Sequence, residues 1–293
     1  MGTTIEAVAV ASGRWPTRRS ARKLADDAIR ASVARAGVTT GDIDLLLNAG
    51  LYRDRILAEP ALAALIQADV GANPEDPHPG RHGTFSFDVA NGACGPLTAL
   101  HIADGFLRAG TIQHALVVAS DTNPGRGLAP RFPFASSGAA AVCRWDDQAG
   151  GLLGFRWEMS SPEDGDLLRA RVGFERGRNR LRISQDPAFG EQAAAWAGKA
   201  AASLLADHGV APGDIDLVVP SPLTATFLDA LPAHLGVPGD RLVTVPGADR
   251  VHTAGLLVAL AAAHEQGRYD DARRVLLVSA GAGIVVGAAL LVR

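Results

Sequence analysis

Residues 37–47 read Gly-Val-Thr-Thr-Gly-Asp-Ile-Asp-Leu-Leu-Leu, and residues 209–219 read Gly-Val-Ala-Pro-Gly-Asp-Ile-Asp-Leu-Val-Val. Two near-identical stretches this far apart indicate an internal duplication. In each copy the first glycine ends an alanine-rich stretch with apolar residues at helical spacing, and an apolar run follows the second aspartate. Each copy therefore predicts a helix, a glycine stop, a short turn and a buried strand.

The same order of elements continues beyond both copies. The first half predicts helices over 21–36, 60–70 and 94–108 and a strand over 115–120. The second half predicts helices over 191–208, 222–235 and 252–266 and a strand over 274–279, with strand-like pieces at 151–160 and 179–184 before them.

Helices that alternate with all-apolar strands are typical of parallel, fully covered sheets. We therefore expect an α/β fold in which two duplicated β-α-β-α-β halves, residues 1–150 and 151–293, form a layered αβαβα sandwich about a pseudo-dyad. The alternative is a single doubly wound sheet with a chance repeat.

The composition excludes several classes of function. The 293 residues are 47% hydrophobic, and 28 basic and 31 acidic side chains are mixed along the chain, which argues against nucleic acid as a partner. The two cysteines lack the spacing of a metal site or a disulfide framework and fit a reduced compartment. The N-terminus lacks an apolar signal region, and the apolar run 284–292 is too short for a membrane helix. We expect a cytoplasmic protein without membrane or metal.

One cysteine stands where a nucleophile is expected. The stretch Phe85-Ser-Phe-Asp-Val-Ala-Asn-Gly-Ala-Cys94-Gly-Pro predicts a strand, a tight turn and a helix that starts at Cys94. A helix start lowers a thiol pKa, so Cys94 is expected to be the more reactive thiol and an acyl-accepting nucleophile. The alternative is that Cys94 packs as a small apolar side chain, which is what we expect of Cys143 in the apolar run 139–143.

Several segments together resemble the thiolase-like condensing enzymes, in particular β-ketoacyl-[acyl-carrier-protein] synthase III. Residues 87–105 are similar to the nucleophile region of that family, 136–142 to its glycine-rich turn and strand, and 275–290 to its C-terminal glycine-rich hairpin. The resemblance implies that Cys94 attacks an acyl thioester while N–H groups of Cys94 and Gly283 hold the oxyanion. It also implies a dimer, with a homodimer favoured and a heterodimer with another condensing enzyme as the alternative. The substrate would be a phosphopantetheine thioester of acyl carrier protein or coenzyme A, with no resident cofactor.

The chain departs from this family at the other catalytic positions. The family uses Cys, His and Asn; its His-Gln-Ala-Asn aligns with Ser221-Pro-Leu-Thr224, and its second asparagine falls at or near Arg250. In the family the His and Asn stabilise the enolate that forms when a malonyl group loses carbon dioxide, and a neutral hydroxyl at Ser221 is a weaker donor. We therefore expect acyl transfer without efficient decarboxylation. His252, at a predicted helix start, is the candidate for acid–base work, oriented by Asp249.

The donor of the acyl group is predicted from two further features. The family carries a longer N-terminal segment with a tryptophan and an arginine that grip the coenzyme A nucleotide, whereas here Val8 to Trp15 leads almost directly to the helix at Ala21. This favours a carrier-protein donor. Residues 169–182 hold six arginines, which suit an acidic carrier protein or a phosphopantetheine phosphate, or form an ordinary solvated surface.

Three functions follow from these observations. The first is acyl transfer in fatty-acid, polyketide-type or secondary metabolism, with a true decarboxylating β-ketoacyl synthase as a variant of it. The second is a catalytically degenerate partner subunit of an active condensing enzyme, which the missing His and Asn favour and the retained cysteine opposes. The third is thioester hydrolysis, for which His252 is the one clear base.

Overall fold

A computed structural model describes residues 1–12, 20–54, 59–73, 83–148, 150–160 and 167–293. Trp15 and the rest of 13–19, on which the shortened N-terminal segment was predicted, lie outside the described residues. The helices of the described residues are α1 (Ala21–Ala36), α2 (Leu62–Val70), α3 (Gly95–Arg108), α4 (Phe189–Asp207), α5 (Ala225–Leu235), α6 (Gly255–Glu265) and the single turn α7 (Arg268–Asp271). The strands are β1 (Gly2–Ser12), β2 (Leu45–Asn48), β3 (Phe85–Asp88), β4 (His114–Asp121), β5 (Ser137–Asp146), β6 (Gly151–Met159), β7 (Leu168–Glu175), β8 (Arg178–Gln185), β9 (Leu217–Pro220), β10 (Arg274–Gly281) and β11 (Val285–Val292).

Nine strands form one sheet in the order β3-β2-β4-β5-β1-β6-β11-β10-β9. The expectation of a parallel sheet is wrong in part: β2 is parallel to β3 and β4, and β9 to β10, but β5 and β11 run antiparallel to their neighbours. They are antiparallel because each returns directly from the preceding strand without a helix between them. Between β1 and β6 the pairing of the described residues is limited to Thr3 and Leu152, so the sheet consists of a five-stranded and a four-stranded part.

The side chains of the strands alternate between two cores. In β2, Leu45 and Leu47 lie in the central core with α3 and α6, and Leu46 lies in an outer core with α1 and α2. In β10, Leu277 faces the central core, and Leu276 faces a second outer core with α4 and α5. The layers are therefore α1 and α2, the first half-sheet, α3 and α6, the second half-sheet, and α4 and α5. This confirms the predicted αβαβα sandwich.

The central helices pack against both half-sheets. Helix α3 contacts β10 and β11 of the second half as well as β4 and β5 of the first, and α6 contacts β1 and β5 as well as β9. Gly287 in β11 permits this close approach: a Cβ there would lie 2.8 Å from Leu97 of α3 and 2.5 Å from Trp157 of β6.

The two copies of the repeat occupy equivalent turns and strands. Gly37 and Gly209 both adopt left-handed backbone conformations after a helix, with φ of 70° and 62°. The Asp44 carboxylate accepts two backbone N–H groups at the start of β4, at 2.8 and 3.0 Å. The Asp216 carboxylate accepts two equivalent N–H groups at the start of β10, at 3.0 and 2.9 Å. The duplication is thus preserved in side-chain contacts as well as in element order.

The halves differ at one edge and in one hairpin. The counterpart of β3 in the second half is only an isolated bridge between Val218 and Leu242, so that edge is one strand shorter. Strands β7 and β8 form a separate antiparallel hairpin, of which the sequence analysis predicted only the second strand. The division at residues 150 and 151 stays a prediction. Among the described residues, no helix combines the length and apolarity that a bilayer crossing requires.

We predict that Asp44→Ala and Asp216→Ala each destabilise the fold, by about 1–2 kcal/mol at Asp44 and less at the more exposed Asp216, because each removes the acceptor of two strand-opening N–H groups. Urea unfolding measures the free energy. The control is Glu265→Ala, which removes an exposed carboxylate at the end of α6 and should change stability by about 0.5 kcal/mol or less. Two variants as stable as the control would contradict the structural role of the repeated aspartates.

Candidate active site

Cys94 lies where the first half meets the glycine-rich turn of the second. It ends the 3-10 turn Gly92–Cys94 and caps α3. Its Sγ donates to the carbonyl oxygen of Val285 at 3.3 Å. Gly281 packs against it so closely that an added Cβ would lie 3.4 Å from Sγ. The thiol of one half is therefore enclosed by the β10–β11 turn of the other.

The expected lowering of the Cys94 pKa is not observed. Cys94 is 0% exposed, and burial raises the pKa of its thiol to about 12. Burial likewise raises the pKa of Cys143 to about 12, deep in β5 as predicted. The expectation failed because the loss of hydration outweighs the partial charge of the helix start. In this closed state Cys94 is a thiol, so a reaction at this sulfur requires a base.

In the glycine-rich turn, an added Cβ at Gly283 would meet nothing within 4 Å, the thiol included. Gly283 is exposed, with φ of 75°, and its carbonyl oxygen accepts the Ser160 hydroxyl at 3.2 Å. The residue against Cys94 is Gly281, two positions earlier. An oxyanion role for a backbone N–H of this turn stays a prediction, and the geometry moves its place toward Gly281 and Ala282.

His252 lines a small pocket next to the thiol. The pocket has a volume of about 190 Å³, and its walls include His252, Gly92 and Ala282. Gly92 belongs to the same short turn as Cys94, and Ala282 follows Gly281. Cys94 itself is not among the residues that line this pocket, but residues close to it in the chain and next to Gly281 are.

The imidazole of His252 is held by aromatic rings. It stacks on Phe134 with ring centroids 4.3 Å apart and lies 5.3 Å from the ring of Tyr52. Burial lowers the pKa of His252 below its ordinary value of 6.5, and the nearby Asp121 carboxylate opposes this shift. His252 is therefore neutral at neutral pH and able to accept a proton.

Asp121 is the carboxylate that holds this region together. It is fully buried at the end of β4. Its Oδ1 accepts the backbone N–H groups of Leu51 and Tyr52 at 3.2 and 2.8 Å. Its Oδ2 accepts the N–H and the hydroxyl of Thr253 at 2.7 and 2.6 Å. One side chain of the first half therefore fixes both walls around His252.

The expectation that Asp249 orients His252 is wrong. Asp249 is exposed in the 3-10 turn Ala248–Arg250, and the carboxylate that acts on His252 is Asp121. The sequence analysis missed Asp121, although it offered one signal: a charged side chain directly after the apolar run 115–120, at the carboxyl end of a parallel strand.

The other candidates lie in different surroundings. Ser221 is 1% exposed, and a Cβ added to Gly255, the first residue of α6, would lie 3.2 Å from its hydroxyl. Thr224 caps α5 and accepts the N–H of Phe227 at 3.0 Å, so its hydroxyl serves the helix. Arg250 is exposed, and its carbonyl oxygen accepts the N–H of Ala135 at 2.8 Å. The structure thus places His252 in a pocket that Gly92, from the turn of Cys94, also lines, and Ser221 at the base of α6.

We predict that Asp121→Asn lowers the pKa of His252 further, because the carboxylate charge that favours the imidazolium is lost while one acceptor oxygen remains. Imidazole NMR titration measures it, with the His252 signal assigned by His252→Gln. Asp249→Asn is the matched control and should leave the pKa unchanged. A shift in the control alone would show that Asp249 is the relevant carboxylate.

The chain matches two sequence models of one family. Residues 87–160 match 3-oxoacyl-[acyl-carrier-protein] synthase III, and residues 205–293 match its C-terminal part. β-Ketoacyl-[acyl-carrier-protein] synthase III of Bordetella petrii is 30% identical over 278 residues, which is 91% of this chain and 80% of that protein. The protein of the same name from Sphingopyxis alaskensis is 31% identical over 284 residues, 92% of this chain and 82% of that protein.

Solved structures agree in fold. 3-Oxoacyl-[acyl-carrier-protein] synthase III from Aquifex aeolicus superimposes with a TM-score of 0.83 at 20% identity and full coverage of both chains. A single-residue variant of OleA from Xanthomonas campestris superimposes with a TM-score of 0.82 at 17% identity, covering 100% of this chain and 99% of that one. With these sequence matches over most of its length, the chain belongs to the β-ketoacyl-[acyl-carrier-protein] synthase III family of thiolase-like condensing enzymes.

Proposed function

We propose that this protein is an acyltransferase in which Cys94 takes an acyl group from a phosphopantetheine thioester and passes it to an acceptor. The observation that carries the proposal is the enclosure of the Cys94 thiol by the β10–β11 turn beside a pocket that holds a neutral, buried histidine. A nucleophile, a base and backbone donors are the groups that thioester exchange requires.

The transfer proceeds in two steps. His252 accepts the proton of the Cys94 thiol as Sγ forms a bond to the thioester carbonyl carbon. The bond from that carbon to the phosphopantetheine sulfur breaks, and the departing thiolate takes the proton from His252. In the second step the acceptor nucleophile attacks the acyl-enzyme, its proton passes through His252, and Cys94 leaves as a thiol.

A base suits this site better than a preformed thiolate. The raised pKa of Cys94 means that proton removal must accompany attack, and the lowered pKa of His252 keeps the base unprotonated at neutral pH. Because Cys94 is enclosed, the incoming acyl chain must displace part of the apolar wall around it. The reaction then takes place away from water, which protects the acyl-enzyme from hydrolysis.

Decarboxylation of malonyl groups is not supported by the replaced positions. Ser221 supplies a neutral hydroxyl, the Thr224 hydroxyl already caps α5, and the Arg250 side chain is exposed. None of the three provides the pair of donors that an enolate requires. The proposed role is therefore transfer, in fatty-acid, polyketide-type or secondary metabolism in the cytoplasm, from a carrier-protein or coenzyme A thioester and without a resident cofactor.

We predict that the protein mixed with an acyl-carrier-protein donor gains the acyl mass in intact-protein mass spectrometry. Cys94→Ala should abolish the gain, whereas the matched variant Cys143→Ala should retain it. Malonyl-carrier protein should release little carbon dioxide even with the acyl-enzyme preformed, and Ser221→His alone should restore little. Efficient malonyl-dependent chain extension by the purified protein would contradict this prediction and show that the protein is a decarboxylating synthase.

The pH dependence follows from the His252 pKa. The base acts when it is neutral, and its pKa lies below 6.5, so acylation should be constant near neutral pH and fall only below about 6.5. Single-turnover acylation measured from pH 5 to 8 gives the profile. His252→Gln should slow acylation by about 100-fold or more and remove the acid limb. If the fall in rate at low pH persisted unchanged in His252→Gln, a residue other than His252 would be the base.

Two observations favour the alternative of a non-catalytic partner subunit. Cys94 has no exposed surface and a raised pKa, as a purely structural cysteine would. Strand β3 is also an edge strand with Phe85 59% exposed, which suits pairing with a second condensing-enzyme chain, identical or different. Absence of any acyl-enzyme with every donor, together with tight heteromeric association in native mass spectrometry, would select this alternative.

A further inference from the structure

The β7–β8 hairpin has two chemically different faces. Residues opposite each other in an antiparallel pair project to the same side. The pairs Ala170–Ile183 and Val172–Leu181 therefore share one side, and Arg171–Arg182 lies on the other. A two-residue turn joins the strands through Arg176 and Gly177, with φ of 48° and 76°, as tight hairpins require.

The apolar face belongs to the candidate active site. Leu168, Ala170 and Ile183 line the pocket that contains His252. Toward the tip the same face continues as Val172 and Phe174, whose residues are 58% and 78% exposed. An apolar strip thus runs from the protein surface to the pocket, which suits the entry of an acyl chain on a flexible arm.

The opposite face is strongly basic. Five arginines and one glutamate are among the ten residues that line a second cavity, of about 640 Å³. The five arginines are Arg131, Arg171, Arg176, Arg180 and Arg182. Two of them have local partners: Arg180 donates to the carbonyl oxygen of Gly127 at 2.5 Å, and Arg182 pairs with Glu175 at 3.0 Å. The hairpin is therefore anchored on the loop after β4 and presents an excess of positive charge to solvent.

We propose that the arginine face of the β7–β8 hairpin is the docking surface for an acidic acyl carrier protein, whose acyl arm then follows the apolar strip to the pocket. This inference rests on the proposed function for the identity of the arm. The partner must join an acidic body to an apolar arm, because one face of the hairpin is basic and the other is apolar.

The length and the position of the row of arginines favour a protein as the ligand over a single phosphate group. From Arg182 to Arg178 the strand spans four residue steps, about 13 Å at the rise of an antiparallel strand, which is wider than one phosphate group. Helix α5, which starts close to Ser221 at the same end of the sheet, carries Asp229 and neither lysine nor arginine. The hairpin and the adjoining loop with Arg131 therefore supply positive charge near the pocket, to which the exposed Arg250 adds.

The test compares two charge-reversal variants of the full-length protein. Arg171→Glu/Arg182→Glu reverses the docking face, and Lys199→Glu/Arg273→Glu applies the same charge change at exposed sites on α4 and before β10. Calorimetric titration with a holo acyl carrier protein at low and high salt measures binding. We expect affinity to fall about 10-fold or more in the docking variant and about 2-fold or less in the control, with the salt dependence reduced only in the former. Equal thermal unfolding of both variants confirms that they fold.

A second measurement separates docking from chemistry. Acylation of Cys94 by an acyl-pantetheine, which lacks the protein body, should be unchanged in the docking variant, while the KM for the acyl-carrier protein rises. Equal binding of carrier protein by wild type and docking variant would overturn the docking surface. If the KM for acyl-coenzyme A rose as much as that for the acyl-carrier protein, the arginines would bind a nucleotide phosphate, and the carrier-protein docking surface would also be overturned. Charge-dependent binding without any acyl-enzyme would leave the docking surface standing and reject the transferase.

Discussion

The fold depends on the burial of α3 and α6 between the two half-sheets. Each helix packs on strands of its own half and of the other, so neither half can cover its inner face alone. Because both helices begin at the junction, Cys94, Ser221 and Thr253 are brought to one region from three separate parts of the chain. The Asp121 carboxylate reinforces this arrangement, since it binds backbone groups of both halves at the start of α6 and after β2. Four hydrogen bonds to one buried carboxylate restrict local rearrangement, which makes it a support for the pocket.

The same burial determines the chemistry of the site. The thiol lies against Gly281 and Val285, where hydration is lost and the neutral form is favoured. His252 is likewise buried, stacked on Phe134, and neutral. In the proposed mechanism, these two neutral groups are a resting state that becomes reactive when substrate is present. In that mechanism the thiol of the free protein stays neutral, and the His252 imidazole is already in the form that accepts a proton.

The replaced positions lie within the architecture of the family. Ser221 occupies a buried place at the base of α6, and Thr224 serves as a helix cap, so both positions are used for packing and for backbone hydrogen bonds. The β7–β8 hairpin adds a feature that neither half of the duplication repeats. Its apolar side closes the pocket and its basic side faces solvent, which links the closure of the pocket to the surface where a partner can bind.

The sequence by itself determined the architecture. The duplicated Gly-Asp-Ile-Asp turns, the helical spacing of apolar residues in Ala21–Ala36 and the apolar strands are all patterns of residues close together in the chain. It also located Cys94 at a helix start and Cys143 in a core strand. Only the tertiary structure decided the state of the thiol, the choice of Asp121 over Asp249 as the carboxylate near His252, and the two faces of the hairpin. These depend on contacts between residues far apart in the chain, such as Asp121 with Thr253, and on the loss of hydration that such contacts impose. Patterns of neighbouring residues do not predict these contacts or this loss of hydration, since both arise only when the two halves pack against one another.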